Sequence, residues 1–173
     1  MTQQPPKMSG IMLEMAIRVM RNPRAEPSSE AAHVALMFAN IAWNESIGLV
    51  RPRQNFRAAW EEIEAENIDL WSEFKSNDED AMIDELVQFK KQHYPDDQRR
   101  IFICGLMPTG NIRVEWLPPV APGVDSLWEL ELYGLVGMRD CEGAIEFLRK
   151  TRSLSRSDAA VRVAEIAVQF GSR

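Results

Sequence analysis

His33, Asn40 and Asn44 stand at i, i+7 and i+11 in the stretch HVALMFANIAWNESIG, residues 33–48. At about 100° per residue they fall within a narrow arc of a helix, with Met37 between them and Glu30 beside them. Imidazole and carboxamide groups combine donors and acceptors. Such a line could form the polar lining of a pocket or of a partner surface, and an enzyme could build a site on it. The plainer expectation is a partly exposed face, or core polar groups satisfied by neighbouring backbone.

Other residue types with chemical capacity are scattered. His33 and His93 lie far apart and no HxxxH pair occurs, so no metal is expected. The acidic set Asp78, Glu79, Asp80, Asp84 and Glu85 lacks the glycine-punctuated spacing of a calcium loop and reads as a solvated helix face. Cys104 sits inside the apolar IFICG, which raises a thiol pKa. Cys141, after Arg139 and Asp140, is the better reactive thiol. Neither a GxSxG elbow nor a GxxxxGK phosphate loop is present. No catalytic residue and no cofactor is assigned.

Basic residues gather near the C-terminus: Arg149, Lys150, Arg152, Arg156 and Arg162. Two helices joined by a short turn could use them to read nucleic acid. Glu142, Glu146, Asp158 and Glu165 share those helices, which favours a mixed-charge, solvated surface. The net charge of −6 is unevenly spread: +3 over residues 1–60, −10 over 61–97 and +1 over 98–173. An acidic middle argues against a uniformly nucleic-acid-binding surface.

The elements that must carry these groups follow from period and punctuation. A first helix is expected over about 8–21, apolar on most sides and stopped by Asn22-Pro23. Ser28 or Ser29 caps the second, which Gly48 ends. A third is expected over about 54–66, from Phe56, Trp60 and Ile63. A short helix, IDLWSEF, follows. The next begins at Asn77 or Asp78, with an acidic start and a basic end that suit the helix dipole.

The period then changes from 3.6 to 2. RRIFICGLM, PTGN and IRVEWLP read as a β-hairpin, with Ile112, Val114 and Trp116 alternating with Arg113 and Glu115. LWELELY, 127–133, alternates in the same way and reads as a third strand. Helices are expected near 142–152 and 156–170, the second opening on a Ser155/Asp158 capping box.

The residues LWELELYG and EGAIEFLRKTRSLSRSDAAVRVAEIA resemble the strand and helical hairpin of the C-terminal domain of the ribosomal stalk protein. The matching positions are Ile145, Arg149, Leu154, Asp158, Ala159 and Val163. The turn RSLSRS departs from that family's glycine-rich turn, Arg156 replaces its apolar residue, and nothing after Phe170 matches its last helix and strand. The resemblance implies a helical hairpin on a small sheet, with the 101–117 hairpin supplying the other strands. It implies no ribosomal role.

The expected fold is α+β: an N-terminal helical bundle, then a small antiparallel sheet packed with a C-terminal helical hairpin. The division is 1–97 and 98–173, or one continuous domain. Two distant cysteines among 173 residues are no disulfide framework, so a reducing, cytoplasmic compartment is expected. The N-terminus is polar and no run of about 18 uncharged apolar residues occurs, so neither a signal peptide nor a membrane span is expected. The preferred function is a non-enzymatic interaction or adaptor protein with a protein partner. The alternatives are nucleic-acid binding through Arg149, Lys150, Arg152 and Arg156, and an enzyme on the His33–Asn40–Asn44 stripe.

Overall fold

A computed structural model of the chain describes residues 7–23, 28–49, 61, 69–121 and 127–171. The helix expected at 54–66 lies outside these except for Glu61, which is helical. The described residues form six α-helices and a two-stranded antiparallel sheet, an α+β fold. Contacts divide the chain into two compact units, Met1–Trp116 and Leu117–Arg173.

In the first unit, α1 (Met8–Val19) and α2 (Ser29–Ser46) pack together, and α2 also packs on α3 (Glu79–His93) and on β1 (Arg100–Leu106). The helix α2 is central because apolar residues cover most of its circumference. Val34, Ala35, Leu36, Phe38, Ala42 and Trp43 are all buried. Phe38 meets Phe74 edge-on, with ring centroids 5.8 Å apart. A single 3-10 turn, Leu70–Glu73, delivers Phe74 to this core. Lys75 N donates to Val19 O at 2.9 Å and Arg21 N to Glu73 O at 2.8 Å, so this turn also closes the end of α1.

The start of α2 is held from both directions. Ser28 accepts from Ala31 N at 3.2 Å, and its own N–H and hydroxyl donate to the Glu73 carboxylate at 2.9 and 2.7 Å. An anion at a helix N-terminus also suits the dipole. Asp78 caps α3 in the same manner, accepting from Ala81 N at 3.0 Å.

β1 and β2 (Ile112–Leu117) form the expected hairpin. Gly110 N donates to Met107 O and Met107 N to Asn111 O, both at 2.8 Å, with Gly110 at φ +81°. This is a three-residue loop closed by a residue in the left-handed region, which glycine adopts without a Cβ penalty. Ile101, Cys104 and Leu106 all meet the core, so the alternation slips by one residue between 101 and 104. The hairpin belongs to the first unit, with the helices that precede it, and the division falls after 116 rather than after 97.

The second unit is helical: α4 (Leu127–Gly137), α5 (Cys141–Arg152) and α6 (Arg156–Gly171). The strand expected at 127–133 is therefore the first part of a helix. Its period-2 alternation is carried by Leu and Glu, which are strong helix formers, and no β-branched residue occurs in it before Val136. Leu132 and Val136, four apart, turn into a core with Ala144, Ile145, Leu148, Ala159, Val163 and Ile166. The hairpin of α5 and α6 thus packs on a helix. Asp140 caps α5 by accepting from Gly143 N at 2.9 Å. Ser155 accepts from Asp158 N at 3.1 Å, the N-cap half of the capping box expected at α6, and its hydroxyl rather than its backbone N–H donates to the Asp158 carboxylate, at 2.6 Å.

The replacement Ser155→Ala removes that box from a unit with a small core. We expect a loss of about 1 kcal/mol. The check is the urea midpoint, with amide exchange accelerated in α5 and α6 and unchanged in α2.

Candidate functional site

The polar stripe of α2 follows β1. Asn44 Nδ2 donates to Ile101 O at 2.7 Å, and Asn44 Oδ1 accepts from Ile101 N at 3.0 Å. A carboxamide has the donor and acceptor of a peptide group, so Asn44 bonds this strand edge as a neighbouring strand would. Asn44 Nδ2 also donates to Asn40 Oδ1 at 3.0 Å. One residue earlier, Trp43 Nε1 donates to Arg99 O at 2.7 Å. At the other end, His33 is exposed beside Gly105: a Cβ built on Gly105 would meet His33 Cε1 at 3.4 Å. The eleven residues from His33 to Asn44 rise about 16 Å in a helix, and the four from Gly105 to Ile101 span roughly 13 Å of strand. The stripe and the strand thus run side by side in opposite directions.

The loop before β1 fixes Arg99 for this contact. Lys90 is almost wholly buried. Its Nζ donates to Asp97 O at 2.6 Å and lies 4.9 Å from the centre of the Trp43 ring. Burial lowers the Lys90 pKa, against the opposing pull of Asp97 and Asp96. Burial alone would raise the Asp97 pKa. Hydrogen bonds from Arg99, with the charges of Arg99 and Lys90, outweigh it and hold that carboxyl below its ordinary value. Arg99 Nε donates to Asp97 Oδ1 at 2.9 Å, and the guanidinium stacks 5.3 Å from the Trp116 ring centre. Nearby, Tyr94 donates its hydroxyl to Glu14 at 2.6 Å. Burial and Glu14 push that phenol up to about 12.

A second feature lies on the same unit. An apolar groove of about 520 Å³ opens between α1, α2 and the hairpin, lined among others by Leu13, Ile17, Ala32, Leu36, Leu106 and Ile112. Leu13 is 45% exposed and Ile17 37%, so part of α1's apolar surface is left open. None of the described lining residues is titratable. Its described lining suits apolar groups. Sequence reasoning missed it, although α1 did show more apolar faces than one packing partner can cover.

The basic residues of the second unit lie among acids of the same unit. Arg149 and Lys150 both reach Glu146, at 3.1 and 3.7 Å. Arg156 reaches Glu142 at 2.8 Å and Arg162 reaches Glu165 at 3.2 Å. Arg152 stacks on Trp128, 3.9 Å from the ring centre. Among the described residues no group of three or more His, Cys, Asp or Glu side chains is placed to hold a metal ion. No helix there is long and apolar enough to cross a membrane.

No family model matches the chain, and neither the curated proteins nor the solved structures give a significant match.

Two outcomes follow from this geometry. Asn44→Ala leaves the buried-edge N–H and C=O of Ile101 without partners, which should cost about 1–3 kcal/mol. Asn44→Asp should cost at least as much, because a carboxylate would face a carbonyl oxygen. The Ile101 amide should exchange faster in both, while exchange in α5 and α6 stays unchanged. The thiols should also separate. Burial pushes Cys104 up to about 12, whereas Cys141 is exposed. Iodoacetamide at pH 8 should modify Cys141 quickly and Cys104 only on unfolding, as read by peptide mass.

Proposed function

We propose that this chain is a non-enzymatic cytosolic interaction protein, and that the groove of the first unit receives apolar side chains of a protein partner. The observation that carries the reading is the open apolar wall formed by Leu13 and Ile17 over a groove with no titratable lining among the described residues. Apolar surface held open by a well-packed helix is a feature of binding sites more than of idle surface. The cytosolic assignment rests on two free thiols.

The polar stripe supports the same choice over catalysis. Asn44 has both ends of its amide engaged with Ile101, which makes it a structural clamp. The ion pairs of the second unit weigh against nucleic-acid binding, since Arg149, Lys150, Arg156 and Arg162 each have an acid of their own chain within reach. Such exposed pairs are individually weak. Their effect is to leave little net positive field for a phosphate backbone to meet.

The test uses a fluorescent apolar dye, anilinonaphthalene sulfonate, and the paired variant Leu13→Glu/Ile17→Glu. Both positions are open enough to accept a charge without unfolding α1. Native protein should enhance dye emission, and the variant should lose most of that signal at an unchanged melting temperature. A partner recovered by the native chain should bind the variant at least tenfold more weakly, a difference of about 1.4 kcal/mol. Equal dye and partner binding in the two proteins would remove the groove from the function.

A further inference from the structure

The two edges of the hairpin sheet are treated differently. The outer edge of β1 is occupied at Ile101 by the Asn44 carboxamide, and the Trp43 indole takes the carbonyl of Arg99 just before the strand. The outer edge of β2 meets no such group among the described residues. Met107 N bonds to Asn111 O, so residues 111, 113 and 115 turn their backbone groups toward β1. The N–H and C=O groups of Ile112, Val114 and Trp116 therefore point away from the sheet. A two-stranded ribbon is marginal by itself, and an open, alternating edge is a template for one more strand.

We propose that β2 pairs antiparallel with β2 of a second copy of this chain, about a two-fold axis at Val114, to form a continuous four-stranded sheet. The sequence of the strand, IRVEW, selects this partner and this register. With Val114 opposite Val114, Arg113 of each copy faces Glu115 of the other, and Ile112 faces Trp116. The Arg–Glu positions are non-hydrogen-bonded pairs, the close ones, with Cα atoms about 4.5 Å apart. The two-fold pairings on either side fail. Centring the axis on Arg113 sets arginine against arginine, and centring it on Glu115 sets glutamate against glutamate.

Within one chain Arg113 Nε already approaches Glu115 Oε1 at 3.4 Å, so pairing would extend this contact into a four-residue ladder of alternating charge. On the opposite face Ile112 and Val114 pack on the core, and Trp116, 39% exposed, would be covered by Ile112 of the second copy. An isologous contact of this kind closes after two chains, which protects the edge from open-ended pairing. This inference does not depend on the groove: Ile112 belongs to both, but the groove variants Leu13→Glu and Ile17→Glu leave every residue of β2 unchanged.

The experiment is sedimentation equilibrium of the full chain over a dilution series, with melting followed by circular dichroism. The native chain should show the mass of two chains, falling to one on dilution. Arg113→Glu and Glu115→Arg each put like charges opposite each other at both ends of the strand and should weaken association about tenfold or more. The double variant R113E/E115R reverses every pair and should return association to near the native level. Val114→Pro removes both central N–H donors and should leave one chain at all concentrations; proline is tolerated on an edge strand. If that variant melts early, the charge-reversal set decides alone. A native chain that is monomeric throughout, a dimer indifferent to Val114→Pro with its fold intact, or charge reversals that the double variant does not rescue would each overturn the proposal.

Discussion

The first unit depends on a strand edge being satisfied by side chains of a helix. Two donors and one acceptor from Trp43 and Asn44 meet the backbone of Arg99 and Ile101. Without them, the beginning of β1 would place unpaired peptide groups against a helix that excludes water. Because the clamp sits at the C-terminal end of α2, and Glu73 holds the N-terminal end through Ser28, that helix is fixed at both ends. The elements α1, α3 and β1 then pack on a rod whose position is already determined.

The two units reach order by different means. In the first, the deciding bonds span long stretches of chain: 45 residues from Ser28 to Glu73, 57 from Asn44 to Ile101 and 80 from Glu14 to Tyr94. In the second, caps and ion pairs mostly join residues three or four apart, and Arg156–Glu142 reaches only 14. Local bonds close at small cost in chain entropy, so the helical hairpin needs little help from distant sequence. The first unit must collapse before its polar contacts exist.

These constraints also shape what the surface can do. Several basic residues of the second unit are answered by neighbouring acids, and Asn44 is occupied with structure. Among the described residues, two features stay open: the apolar wall of Leu13 and Ile17, and the outer edge of β2. Both are surfaces suited to recognition through shape and hydrogen bonding, which is the common ground of the two proposals.

The sequence by itself determined the local punctuation. Ser28 or Ser29, Asn77 or Asp78, and Ser155 announced helix starts, Gly48 a helix end, and Pro-Thr-Gly-Asn the hairpin turn, because each acts on backbone within a few residues of itself; the structure chose Ser28 and Asp78. It misled at 127–133, where a period of 2 over seven residues is also compatible with a helix and the choice lay with the packing of Leu132 and Val136 on α5 and α6. It could not show that the hairpin sides with the N-terminal helices, nor that α1 leaves a groove, since both depend on which apolar surfaces find each other. The stripe of α2 shows the division most clearly. The capacity of Asn44 to donate and accept is written in its side chain, but only the folded chain brings it to a strand 57 residues away. Hydrogen-bonding capacity is a property of one residue; its satisfaction is a property of the whole unit.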